Sequence, residues 1–243
     1  MLRFREVVYL GLEPFRWMLE RRVRADLKQI LRAYRQTTRH DRIRLLDVGA
    51  RNSPYTTGLR AEIVLLDIPR ETDIQASLNL GFTTGILGQL SKRRSNIKDV
   101  VIQNIFTNGL PGASFDVVTA VEVIEHIEDD ARFVKELCRL VKPGGVCYLT
   151  TPNGVGVPKE NPDHVRHYTR RSLESLLLSV FDEVTVKYAL KKDRYYGWGL
   201  QFWRLDAPLG TLKSIVGCVI NRFERPRLPF EGANLVATCV RRV

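Results

Sequence analysis

Between Phe115 and Asn153 the chain reads FDVVTAVEVIEHIEDDARFVKELCRLVKPGGVCYLTTPN, and no other stretch constrains its fold as tightly. Phe115 to Val121 is an almost unbroken apolar, β-branched run, which reads as a strand buried on both faces. Glu122-Val-Ile-Glu-His126 then leaves that strand in an acidic turn. From Ala131 to Val141 the apolar residues fall at Phe133, Val134, Leu137, Leu140 and Val141, which is helical spacing. Lys142-Pro-Gly-Gly145 stops the helix, and Val146 to Thr151 is a second apolar strand. Strand, helix and strand in this order make a parallel crossover, right-handed in nearly every sheet. Polar residues gather where these strands end, and open α/β sheets bind ligands at that carboxyl edge. A small-molecule site is therefore expected there.

The 243 residues suit one α/β domain with extensions, and 44% hydrophobic with 27% charged residues is ordinary for a soluble globular chain. No apolar run approaches the ~20 residues of a membrane span. The beginning, MLRFREVVYLGLEPFRWMLERR, alternates charged and apolar residues and lacks the unbroken core of a secretory signal. Cys138, Cys147, Cys218 and Cys239 are scattered without a CxxC pair, so they read as buried thiols in a reducing cytosol rather than disulfides or zinc ligands. The expected location is cytoplasmic. A net charge of +11 raises a nucleic-acid or anionic-membrane partner. Much of the excess lies before residue 45, and a solvated basic face explains it equally well.

Pro14 opens an amphipathic pattern through Phe15, Met18, Leu19, Val23, Leu27, Ile30, Leu31 and Tyr34. It reads as a helix packed on the sheet or, alternatively, as one lying on a membrane. Residues 1–42 are thus a helical extension, and 43–243 the domain itself. Strands are expected at Ile43–Val48, Glu62–Asp67, Asp99–Asn104, Asp182–Leu190 and Asn234–Arg241, and a short helix at Leu173–Val180. The segment Ile68–Lys98 is long for a crossover, with Gly81, Gly85 and Gly88 and the basic Lys92-Arg-Arg94. Residues 191–230 carry Tyr195, Tyr196, Trp198, Phe202 and Trp203 and then the apolar patch Ile215–Ile220. They read as a helical cap inserted between the last two strands, on the acceptor side, although the aromatics could equally be core.

The first strand ends in Asp47-Val-Gly49, followed by Ala50 and Arg51, a turn that should open the next helix. Gly49 permits close backbone approach, and helix-start amides would face the ligand. Dinucleotide sites need three glycines there, and this turn has one, so a pyrophosphate cradle is not expected. Asp67, about 20 residues on and followed by Ile68, stands where a carboxylate accepts both ribose hydroxyls. Asn104, followed by Ile105, could read an adenine edge or simply cap the strand end.

Taken together, DVG, Asp67, SFDVV-x-x-VEVIEHI, LVKPGGVCYLTTPN and the downstream HVRHYTRRSLESLL resemble class I S-adenosylmethionine-dependent methyltransferases. The likeness covers roughly residues 43–190 and the final strand, and is closest to the small-molecule, glycan and ubiquinone-pathway branch. It implies an α/β, Rossmann-like three-layer sandwich whose seven-stranded, mostly parallel sheet has an antiparallel last strand. It also implies S-adenosyl-L-methionine across the ends of the first four strands. Asp47 and Gly49 would face the methionine part, Asp67 the ribose and Asn104 the adenine, with Val121 and Glu122 lining the transfer pocket. Arg51 stands where the family usually has glycine, and its charge could pair with the methionine carboxylate.

Glu122, Glu125 and His126, with His164 and His167 downstream, form a second constellation. On a helical turn the first three share a face. Glu122, Glu125, His126 and His164 could hold Mg²⁺ or Mn²⁺, an arrangement that resembles metal-assisted O-methyltransferases. Without a metal, His126 or His164 is the candidate general base for an acceptor hydroxyl. The expected reaction is O-methylation of a small-molecule or glycan-like acceptor. Alternatives are an RNA 2′-O-methyltransferase and a non-catalytic cofactor-binding scaffold. Nucleic acid is disfavoured because aromatics are not interleaved with the basic run. The basic first helix and the apolar 212–220 stretch suggest peripheral contact with an anionic membrane.

Overall fold

The apolar runs become the strands of one sheet: β1 (Arg44–Val48), β2 (Glu62–Asp67), β3 (Ile97–Ile102), β4 (Phe115–Val121), β5 (Val141–Pro152), β6 (Glu183–Lys191) and β7 (Gly232–Val240). The structure is a computed structural model describing residues 14–51, 53–71, 81–83, 85, 87, 88, 94–155, 163–200, 203, 206–221 and 223–242. The strand order is β3-β2-β1-β4-β5-β7-β6. β1 pairs in parallel with β2 and β4, and β7 runs antiparallel to both β5 and β6. This is the Rossmann-like sheet expected, antiparallel last strand included. The chain steps outward from β1 through β2 to β3 and returns on the other side of β1 as β4. That reversal opens a crevice between the carboxyl ends of β1 and β4, where such sheets bind ligands.

Helices cover both faces. α1 (Pro14–Thr38) lays Met18, Leu19, Val23, Leu27 and Leu31 against Leu45, Val117 and Tyr148 of the sheet. Polar bonds fix it there: the Tyr34 hydroxyl donates to Asp116 (2.9 Å), and the Tyr148 hydroxyl to Asp26 (3.1 Å). The first helix, expected as packed on the sheet or lying on a membrane, packs on the sheet. Its apolar face is spent on the sheet. On the opposite face α2 (Asp130–Leu140) buries Phe133, Val134, Leu137 and Leu140, and α3 (Arg170–Leu178) buries Leu173 and Leu177. Side-chain caps start both: Asp129 accepts from the Arg132 N–H, and Thr169 from the Ser172 N–H.

Three local expectations are corrected. Lys142-Pro-Gly-Gly145 does not separate helix from strand, because β5 already begins at Val141. The register jumps from Phe115↔Val141 to Val117↔Val146, so the four residues bulge out of a continuous strand. A Cβ on Gly145 would lie 2.9 Å from the Asp116 carbonyl, which demands glycine. β3 starts two residues earlier than expected and leaves Asn104 outside it. Finally, among the described residues no α-helix follows Gly49; turns carry the chain from β1 to β2.

Between β6 and β7 the cap consists of α4 (Arg194–Gly199) and α5 (Pro208–Asn221). They touch backbone to backbone at Gly217, where a Cβ would sit 2.5 Å from the Tyr195 carbonyl. Trp203 donates its indole N–H to Ser214 (2.9 Å) and meets Trp17 edge-on, so it packs the junction between cap and α1. Phe202, residues 1–13 and most of 72–93 lie outside the described residues.

Candidate active site

β1 ends in Gly49 at φ 71°, and its N–H donates to the Leu66 carbonyl (2.9 Å). A Cβ there would lie 2.6 Å from a Val123 methyl, so the turns after β1 and β4 meet at this glycine. Gly49→Ala should therefore combine left-handed strain with overpacking, roughly 2–4 kcal/mol in all. Chemical denaturation measures it, and adding Val123→Ala should restore the overpacking share.

Asp67 closes β2 beside this turn. Its Oδ2 accepts from the Arg51 N–H (2.9 Å) and its Oδ1 from the Ile68 N–H (2.8 Å). Burial raises its carboxyl above the usual range, while those two bonds and the Arg51 charge pull the other way. Ala50 and Arg51 are buried, and Ile68 is half-buried.

Asp47, expected to face the methionine part, is buried at the end of β1. It is 1% exposed and accepts from the Ser53 and Thr56 hydroxyls, both at 2.6 Å. Arg94 backs this cluster, donating to Thr56 Oγ1 (2.6 Å) and to the Ser53 carbonyl (3.1 Å). Burial pushes both groups toward neutrality, and their mutual charge opposes it. Asp47 thus pins the turn that replaces the missing helix. Asn104 is exposed, and its side-chain oxygen accepts from the Phe106 N–H (2.9 Å), capping the 3₁₀ turn Ile105–Thr107. Ile105 is buried in the core.

Val121, the last residue of β4, is also buried core. Glu122 follows in a left-handed conformation, φ 54°, unusual for a residue with a side chain. Its carboxylate accepts from the Thr150 hydroxyl (2.7 Å) and the Asn234 amide (3.1 Å). Asn234 is 1% exposed, and its own Oδ1 has no hydrogen-bond partner among the described residues. Burial lifts Glu122 to about 7. Its charge, after burial, helps push Tyr196 of α4 up to about 12, which puts the cap close to this carboxylate.

Glu125 is 1% exposed; one oxygen accepts from Thr151 (3.0 Å), and Oε1 has no partner among the described residues. Burial first, then the Glu122 charge, raises its carboxyl well above normal. The Glu125 carbonyl accepts from the Val165 N–H (2.8 Å), which draws residues 163–166 against the turn. His164 thereby meets His126 with ring centres 4.8 Å apart. His126 Nδ1 lies 3.0 Å from the Asp163 carbonyl. A carbonyl only accepts, so Nδ1 carries the proton and Nε2 keeps its lone pair. His164 bonds in turn to His167 (2.7 Å).

Ligand atoms of Glu125, His126 and His164 all fall within 4.8 Å of one another, enough for a cation. Glu122, expected as a fourth ligand, stands outside that trio. A 3₁₀ turn, Ile124–His126, replaces the helical turn that would have aligned it, and Thr150 and Asn234 hold it instead. Thr150, Thr151, Asn234 and Arg94 were missed in the sequence. The polar Thr-Thr-Pro-Asn ending of an apolar strand was the available signal for the first two.

A methyltransferase-domain model matches residues 18–180, and the chain belongs to that family. A probable S-adenosylmethionine-dependent methyltransferase of Mycolicibacterium smegmatis is 40% identical over 130 residues, 51% of this chain and 47% of that protein. A ubiquinone biosynthesis O-methyltransferase of Xanthomonas oryzae is 30% identical over 113 residues, 45% of this chain and 43% of that one. The matched stretches span less than half the length of these relatives. Among solved structures, a SAM-dependent methyltransferase from Archaeoglobus fulgidus superposes with a TM-score of 0.55 at 17% identity, covering 89% of this chain and 93% of that one. That likeness concerns the fold alone.

Proposed function

We propose that the protein methylates an oxygen of a small-molecule acceptor, with S-adenosylmethionine as donor. The observation that carries this reading is Glu122: a half-buried carboxyl held at about 7, on a strained backbone, at the β1–β4 crevice. Strain of this kind persists where function requires it. The donor supplies a methyl group already activated on a sulfonium. The residues present suit it. Gly49 bares backbone at the crevice, Asp67 keeps lone pairs for ribose hydroxyls beyond its two backbone bonds, and buried Arg51 offers charge to a carboxylate.

Each Glu122 oxygen accepts one hydrogen bond, which leaves room for the acceptor hydroxyl as a further donor. Glu122 takes that proton while the acceptor oxygen forms its bond to the methyl carbon and the carbon–sulfur pair stays on sulfur. A base near pH 7 matches this task. Tyr196 and the cap exclude water from the acceptor side. The likeness to the Xanthomonas O-methyltransferase supports oxygen as the methylated atom.

A second reading is favoured by Glu125, whose buried Oε1 has no partner among the described residues and whose carboxylate lies within 4.8 Å of ring nitrogens of His126 and His164. Glu125, His126 and His164 would hold Mg²⁺ or Mn²⁺, and such an ion acidifies a bound hydroxyl. One assay tests both: S-adenosylhomocysteine release over a panel of hydroxylated acceptors, with and without chelator. The metal-free reading expects turnover unchanged by chelation, and the metal reading a loss of about 100-fold or more. No release with any acceptor would sink the enzyme assignment.

A further inference from the structure

Helix α5 is amphipathic the wrong way round. Its buried residues are Ser214, Gly217, Cys218 and Asn221. Its exposed ones include Leu209, Leu212, Val216 and Val219, and Phe223 is exposed just beyond its end. A helix of a water-soluble domain normally turns its apolar stripe inward. Here Leu209 is 82% and Phe223 76% exposed, with Phe230, 62% exposed, on the segment leading into β7. The 3.6-residue period aligns Leu209, Leu212, Val216 and Val219 on one side, opposite the buried small and polar residues. A contiguous apolar strip of this kind marks an interaction surface.

Charge selects the partner. Residues 191–231 carry eight Lys or Arg against four Asp or Glu. Of those acids, Asp193 caps α4, Glu224 pairs with Lys191 (3.0 Å), and Glu231 accepts from the N–H groups of Arg227 and Leu228. Lys213 on α5, Arg225 and Arg227 just after it, and Lys192 and Arg194 at the start of α4 are exposed. A second copy would bring the same cations face to face, in a chain of net charge +11. An anionic bilayer complements both the apolar strip and its cationic border. Fourteen residues rise only about 21 Å, too short to cross, so the helix lies in the interface plane.

We propose that α5 is a membrane-docking helix: its outward stripe enters the headgroup boundary of an anionic bilayer, and the flanking Lys and Arg side chains contact lipid phosphates. The inference concerns the cap's outer face and stands whether or not the proposed reaction is correct. Since α4 packs on α5 and holds Tyr196 close to Glu122, docking would set the crevice beside the lipid surface.

Vesicle flotation of the full chain tests this, with phosphatidylglycerol-containing and pure phosphatidylcholine vesicles. Co-flotation is expected with the anionic vesicles only, weakening as salt rises. Leu212→Glu/Val216→Glu should reduce partitioning about tenfold or more. Both sites are exposed, and an unchanged melting temperature would show that the variant folds. Lys213→Glu/Arg225→Glu provides a second variant that leaves the apolar strip intact and should also lose binding. The proposal is overturned if the wild type stays unbound at low salt, or if the Leu212→Glu/Val216→Glu variant floats as well as the wild type. It also fails if the strip instead mediates a dimer that this variant dissolves while no vesicle is bound.

Discussion

Glu122→Gln is expected to lower kcat by about 10²–10⁴-fold, the usual contribution of a positioned general base, while donor affinity stays within a few-fold of wild type. The substitution keeps the side chain's shape. Thr150 can still donate to the new carbonyl oxygen, and Asn234 can rotate its amide so that its unpartnered Oδ1 accepts from the new NH₂. What disappears is the ability to take a proton. Wild-type kcat/KM should rise with pH through about 7, as Glu122 ionises, and the variant should lose that limb. Stability should move the opposite way. The folded carboxyl titrates near 7 against an ordinary value of 4.5, so the folded state holds the proton more tightly than the unfolded chain. Its contribution is fully present below about pH 4.5 and fades as pH rises through 7, a loss on the order of 3 kcal/mol. The neutral glutamine escapes that loss, so the variant should be the more stable protein at pH 8 while being nearly inactive. Retained turnover with an unchanged pH profile would move the base elsewhere, first to His126.

The sheet could be read from the chain because β1, β2, β4 and β5 are buried and their sequences are nearly uninterrupted apolar runs. The same reading failed where one residue does two jobs. Val141 ends the helical spacing of α2 and also pairs with Phe115, so the Lys142-Pro-Gly-Gly145 bulge looked like a loop. The turn after Gly49 resembled a helix start, yet it is held by a buried Asp47 and by Arg94, 47 residues further on. No local pattern announces a link of that span. The acid and imidazole residues at the site were visible as types, but their grouping was not. Glu122 is turned away from Glu125 and His126 by a left-handed backbone and by Asn234, which arrives from the last strand. His164 reaches His126 only because Val165 donates to the Glu125 carbonyl. In α5 the apolar 212–220 stretch already suggested a membrane, but which residues of the helix turn outward depends on the small residues it packs with, Gly217 against Tyr195 and Gly199.

Asp67→Ala should weaken S-adenosylmethionine binding by about 100-fold or more, measured by calorimetry. Two charge-assisted hydrogen bonds to ribose hydroxyls are worth roughly 1.5–3 kcal/mol each, and even half of their sum corresponds to more than tenfold in affinity. The same truncation removes the acceptor for the N–H groups of Arg51 and Ile68, so the turn after β1 loosens as well. Asp67→Asn separates these effects. Its remaining side-chain oxygen still accepts from one backbone N–H, but the amide carries no charge and donates where the carboxylate accepted. It should therefore lose less stability than Asp67→Ala and still bind the donor at least tenfold more weakly. If both variants bind within threefold of wild type, the nucleoside is not held at the end of β2. The assignment of Glu122 as the methyl-transfer base would then lose the donor site proposed beside it.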